Sequence, residues 1–111
     1  MIEMIIKNFL DTHLSVSAFL EVEKNMPESY ILLEKTGSSK SNHICSATFA
    51  FQSYANSMFE AAKLNEELKE TVENLVSLDE ISSVKLNSDY NFTDTETKKN
   101  RYQAVFDIKH Y

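Results

Sequence analysis

The chain of 111 residues has one glycine, one proline and one cysteine, and each scarcity excludes something. With Gly37 alone, neither the G-x-S-x-G elbow of serine hydrolases nor a glycine-rich phosphate cradle can be built. With Cys45 alone, no intramolecular disulfide is possible, so nothing demands an oxidising compartment, and an intracellular origin is the simplest expectation. Basic residues are also in short supply: 11 Lys and Arg against 17 Asp and Glu give a net charge of −6, and only Lys98-Lys99-Asn100-Arg101 concentrates them. Because phosphate neutralisation supplies most non-specific nucleic-acid affinity, direct binding of DNA or RNA is disfavoured. No long hydrophobic run occurs. The apolar start MIEMIIKNFL is interrupted by Glu3, Lys7 and Asn8, well short of the about 20 apolar residues of a membrane span, and has no small-residue cleavage site.

What is present is ordinary globular usage, 42% hydrophobic and 25% charged, in a length that suits a single domain spanning 1–111. Such a chain buries roughly two-thirds of its unfolded surface, enough for one continuous core. Ile2, Ile5, Ile6, Phe9 and Leu10 recur at helical spacing and predict a short amphipathic helix ending near Thr12. From Ser15 to Glu23 the pattern alternates, with Val16, Ala18, Leu20 and Val22 on one side, and predicts a half-buried strand. Pro27 fixes its own φ and biases Met26 away from helix, so a turn follows at Lys24 to Glu28.

Ser29 to Lys35, with its Tyr30-Ile31-Leu32-Leu33 run, reads as a central strand partly covered on both faces. Thr36 to Asn42 reads as a mobile exposed loop. Ile44 to Ser53 alternates strictly and points Phe49 and Phe51 into the core. Near Tyr54 the period changes to 3.6, and a stripe through Tyr54, Met58, Ala61, Ala62, Leu64, Leu68, Val72, Leu75 and Val76 predicts the longest helix, capped by Asn56 or Ser57 with Glu60 in capping-box position. Its other face carries Glu60, Lys63, Glu66, Glu67, Lys69, Glu70 and Glu73, a solvated face with an acidic excess. Two last strands are expected at Ile81 to Phe92, with Val84, Leu86, Tyr90 and Phe92 on one side, and at Arg101 to Tyr111. The polar connector Thr93 to Asn100 joins them. The order α-β-β-β-α-β-β predicts an α+β fold: an antiparallel or mixed sheet of about four to five strands with two helices on one face.

Sites of chemistry are weakly represented. His43 and Cys45 share a strand face, but a zinc site needs about three or four ligands, and His13 and His110 have no spacing that recruits them. The pairs Glu66-Glu67 and Asp79-Glu80 lie where solvation leaves carboxylates ordinary. Phe49, Phe51, Tyr54, Tyr102 and Phe106 could stack bases, but they alternate with polar residues and lack basic neighbours, which makes them core. No catalytic residue, metal or cofactor is expected.

Taken in order, four pieces resemble the minor tail protein family that includes the tail terminators of long-tailed phages. They are Val16 to Pro27, Glu34-Lys35-Thr36-Gly37, Gln52-Ser53-Tyr54-Ala55 with Glu60-Ala61-Ala62, and Arg101-Tyr102-Gln103. Lys35 stands where that family often has arginine. The resemblance implies a structural virion protein rather than an enzyme, located at the head-proximal end of the tail and assembled in the host cytoplasm. It implies a hexameric ring that caps the tail tube, ends its polymerisation and offers the head connector a joining surface, while DNA passes through without specific binding and no membrane is involved. The residues expected to make those contacts lie in the two polar connections: Lys35, Thr36, Gly37, Ser38, Ser39, Lys40 and Asn42 in the first, Lys98, Lys99 and Arg101 around the second. The competing expectation is a small non-enzymatic α+β binding or adaptor module, or a head-tail connector.

Overall fold

The computed structural model describes residues 1–94, 96 and 99–111. The chain runs through helix α1 (Ile2–His13), strands β1 (Ala18–Phe19), β2 (Tyr30–Ser41) and β3 (Ile44–Ala55), helix α2 (Met58–Glu73) with a 3-10 turn (Asn74–Ser77), and strands β4 (Ile81–Asn91) and β5 (Asn100–His110). The five strands form one sheet in the order β1-β2-β3-β5-β4. β1 runs parallel to β2 and every other pair is antiparallel, so the sheet is mixed and the fold is α+β as expected.

Parity decides what each strand buries. Phe49 and Phe51 sit opposite Phe106 and Ala104, on the face where Ile31 and Leu33 of β2 also point. Both helices close that face: Ile2, Ile6 and Leu10 of α1 and Ala61, Leu64, Leu68 and Val72 of α2 join the same core cluster. α2 starts where its cap allows, the Ser57 hydroxyl accepting the Glu60 N–H at 3.1 Å.

Four expectations are corrected. First, only Ala18 and Phe19 of the stretch Ser15 to Glu23 pair as strand, and Leu20 and Val22 are exposed. Alternation provides a face but no ladder. The Asp11 carboxylate takes the Ala18 N–H at 2.8 Å, and β1 meets β2 only at Ile31 and Leu32.

Second, Thr36 to Ser41 is no loop. β2 continues through it, paired with β3 as far as Ser41 opposite Ile44, with a bulge between Lys35 and Gly37 inside the strand. Small polar residues fit there because this arm of the hairpin is exposed throughout. The turn is only Asn42-His43, both with positive φ, 51° and 68°, which is the geometry of a two-residue type I′ hairpin. Asparagine tolerates that conformation, whereas histidine at the second position is under strain. His43→Gly is therefore expected to stabilise the fold by about 0.5–1 kcal/mol, as measured by urea denaturation.

Third, Tyr54 belongs to β3, not to the helical stripe, and Val76 beyond the helix is exposed. Fourth, bulges between Ile81 and Ser83 and between Leu86 and Ser88 break the parity of β4. Leu86, opposite Phe106, keeps to the helix side, while Tyr90, opposite Gln103, stands on the other face, where its ring meets Phe92 edge to face. Cys45 is half-buried.

Candidate assembly surfaces

The face of the sheet turned away from the helices carries a connected polar and aromatic array. Tyr54 and Gln52 on β3 point outward beside Arg101 and Gln103 on β5, because Tyr54 pairs with Arg101 and Gln52 with Gln103. A single chain of hydrogen bonds runs through them. Arg101 Nη1 donates to the Tyr54 hydroxyl at 2.8 Å, and that hydroxyl donates to Gln52 Oε1 at 3.0 Å. Gln52 Nε2 donates to Gln103 Oε1 at 2.9 Å, and Gln103 Nε2 donates to the Tyr90 hydroxyl.

Aromatic rings wall this chain in. Tyr30 stacks on Tyr54 with centroids 4.5 Å apart, Phe19 meets Tyr30 edge-on, and the Arg101 guanidinium lies 4.4 Å from the Phe92 centroid. Gln52 and Gln103 are each only 9% exposed as a result. Burial pushes the Tyr30 hydroxyl above its ordinary pKa, Tyr54 adds to the rise, and Arg101 pulls it partly back. The arrangement is a rigid platform, with its buried amide donors and acceptors paired across strands.

At the other end of the same face a groove of about 460 Å³ is lined by Gly37, Ser38, Thr48, Lys85, Asp107 and Lys109 among others. The Asp107 carboxylate accepts from Thr48 Oγ1 at 2.9 Å and from Asn87 Nδ2 at 3.1 Å. On the helix side, Lys69 bridges Glu66 at 2.9 Å and Asp89 at 3.4 Å. The hydrogen bond to Glu66 raises its pKa most, against burial, and Asp89 adds to the rise.

The expected contact residues separate into two places. Lys35, Thr36, Gly37, Ser38, Ser39, Lys40 and Asn42 occupy the exposed arm and turn of the β2-β3 hairpin. Lys35 reaches Glu3 at 3.4 Å, and Thr36 Oγ1 donates to the Thr48 carbonyl at 3.3 Å. A Cβ added to Gly37 would meet nothing within 4 Å, and its φ is not positive, so glycine is not sterically required there. Lys99 and Arg101 lie at the opposite end of the strands, where Lys99 pairs with Asp94 as an isolated bridge. Lys98 lies outside the described residues. The molecule is 44 Å long, so the two groups form separate surfaces.

Gln52, Tyr54, Tyr90 and Gln103 were missed as a surface. The sequence carries half of the signal: parity puts Gln52 with Tyr54 on one face of β3 and Arg101 with Gln103 on one face of β5, while the register that brings them together belongs to the fold.

Glu3, in the first turn of α1, has its pKa lowered by a backbone hydrogen bond and secondarily by Lys35, against the effect of burial. A folded pKa below the unfolded one means the carboxylate stabilises the fold above the ordinary glutamate value, and this is lost as pH falls through the lower folded value. Glu3→Gln is expected to be less stable than the parent at neutral pH, by a margin that shrinks in acid as pH falls through the folded value. Urea denaturation at neutral and at acid pH checks this.

Among the described residues no group of three or more His, Cys, Asp or Glu side chains converges as a metal site. Among the same residues no helix is long and apolar enough to cross a membrane. No protein-family model matches the chain, and no curated protein matches it.

Proposed function

We propose that this chain is a structural virion protein of the tail-terminator type, which caps the tail tube, ends its polymerisation and forms the surface on which the head connector joins. The observation that carries this reading is the sheet itself. Helices back one face, the other presents the Arg101-Tyr54-Gln52-Gln103-Tyr90 platform, and two strand edges lack partner strands among the described residues. The sequence pieces that resemble the tail proteins, Gln52-Ser53-Tyr54-Ala55 and Arg101-Tyr102-Gln103, are cross-strand neighbours in that platform.

A ring that closes on itself is heterologous, so each subunit must offer two different surfaces. A net charge of −6 also suits a channel past which DNA slides without adhering. In this reading the work is done by surfaces meeting other subunits, with no covalent chemistry.

Electron microscopy of particles made without this gene tests the reading. Overlong headless tails are the expected result. Tails of normal length that fail to join heads would instead assign the chain a connector role, and normal infectious particles would overturn both.

A further inference from the structure

The two edges of the sheet are open in complementary halves. On β2, the edge strand β1 occupies Ile31 and Leu32, and a bulge follows between Lys35 and Gly37. Beyond it, Gly37 to Ser41 is regular, exposed and free on its outer side among the described residues. On β4, the two bulges spoil the first half for pairing, and Ser88 to Asn91 is the regular remainder, free on its outer side among the described residues. Unpaired backbone N–H and C=O groups on a regular edge recognise an extended strand, whereas bulges and charges repel one. Gly37-Ser38-Ser39 has neither charge nor bulk.

From this geometry, and resting on the ring proposed above, we infer that Gly37–Ser41 of one copy pairs antiparallel with Ser88–Asn91 of the next copy, with Lys40 opposite Asp89. β2 and β4 run in opposite directions within the sheet, so a cyclic repeat that preserves strand direction makes this contact antiparallel without rearrangement. In the chosen register Lys40 and Asp89 share the helix side, since Lys40 pairs with Cys45 and Asp89 with Ala104. Ser41 and Ser88 then stand opposite each other on the outer face. Opposite charges facing across two strands favour this register over its neighbours.

The free halves lie at opposite ends of the sheet: Lys40 is level with Ile81 through Cys45 and His110, and Asp89 with Leu33 through Ala104 and Phe51. That offset is about 20 Å at 3.3 Å per residue, against about 19 Å for four strand spacings. Strands inclined by about 45° to the ring axis satisfy it, close to the 35–45° of closed sheets.

Paired cysteines test the register. In a Cys45→Ser background, Ser41→Cys combined with Ser88→Cys is expected to oxidise to a ladder of covalent trimers and larger species. The experiment uses the purified chain and, in parallel, tail preparations carrying the variant. Each single variant, and Ser41→Cys with Ser83→Cys, is expected to yield no covalent oligomer. Native mass spectrometry and microscopy of the same samples report whether a ring is present. A ring without the ladder overturns the edge pairing and leaves the ring standing. Dimers from Ser41→Cys alone would mean that β2 pairs with its own copy, which also overturns it. The absence of any ring, free or on tubes, removes the ring reading itself.

Discussion

Replacing Phe51 by alanine is expected to cost about 3–5 kcal/mol, a large share of the 5–15 kcal/mol that holds a domain of this size together. Phe51 is fully buried on β3, the middle strand of the sheet, between Leu33 and Ala104 in the pairing, beneath the helices. Its ring meets Phe106 edge to face with centroids 5.8 Å apart and lies 6.2 Å from Phe49. Alanine therefore removes transfer free energy, leaves a void, and forfeits ring contacts that contribute about 0.5–1.5 kcal/mol beyond burial. Urea or thermal denaturation measures the loss. Phe51→Leu, which retains most of the volume, is expected to lose less than half as much. If alanine cost under about 1 kcal/mol, the single core described for α1, α2 and the sheet would be wrong.

The second large effect lies on the opposite face. Gln52→Leu leaves Gln103 Oε1 without its donor and the Tyr54 hydroxyl without its acceptor, both in surroundings largely closed to water. Stranding such groups is expected to destabilise by about 2–3 kcal/mol. Adding Gln103→Leu removes the orphaned carbonyl, and the Tyr90 hydroxyl, on a side chain that is 41% exposed, can turn to water. The double variant is therefore expected to be less destabilised than the two single losses combined, with a coupling of at least about 1 kcal/mol. Additive losses would mean that the two glutamines act separately and that no continuous chain spans the face.

Burial periodicity makes the layers legible in the sequence. Phe49, Phe51 and Phe106 alternate with polar residues because a sheet backed by helices on one side requires it, and the α2 stripe from Ala61 to Leu75 follows from the same need. Where tertiary pairing overrides composition, the sequence misleads. Thr36 to Ser41 has the residues of a loop, yet its backbone continues a ladder that β3 imposes, and the reversal shrinks to Asn42-His43. Val16 to Val22 has the alternation of a strand, yet finds a partner only at Ala18 and Phe19.

The β4 bulges could not be read from residue types, and they move Tyr90 onto the outer face. The platform depends on register as well: Tyr54 meets Arg101 only because β3 and β5 pair as they do, which neither segment states alone. The expected contact residues were half informative, since the hairpin arm and the Lys99-Arg101 end lie towards opposite ends of the strands and belong to different surfaces.

Polymerising purified tail-tube subunits with and without this chain, and imaging the products, tests the central claim most directly. The account predicts tubes that shorten as more of the chain is added, each with a six-fold ring of it at one end. Tubes of unchanged length with bare ends would contradict it.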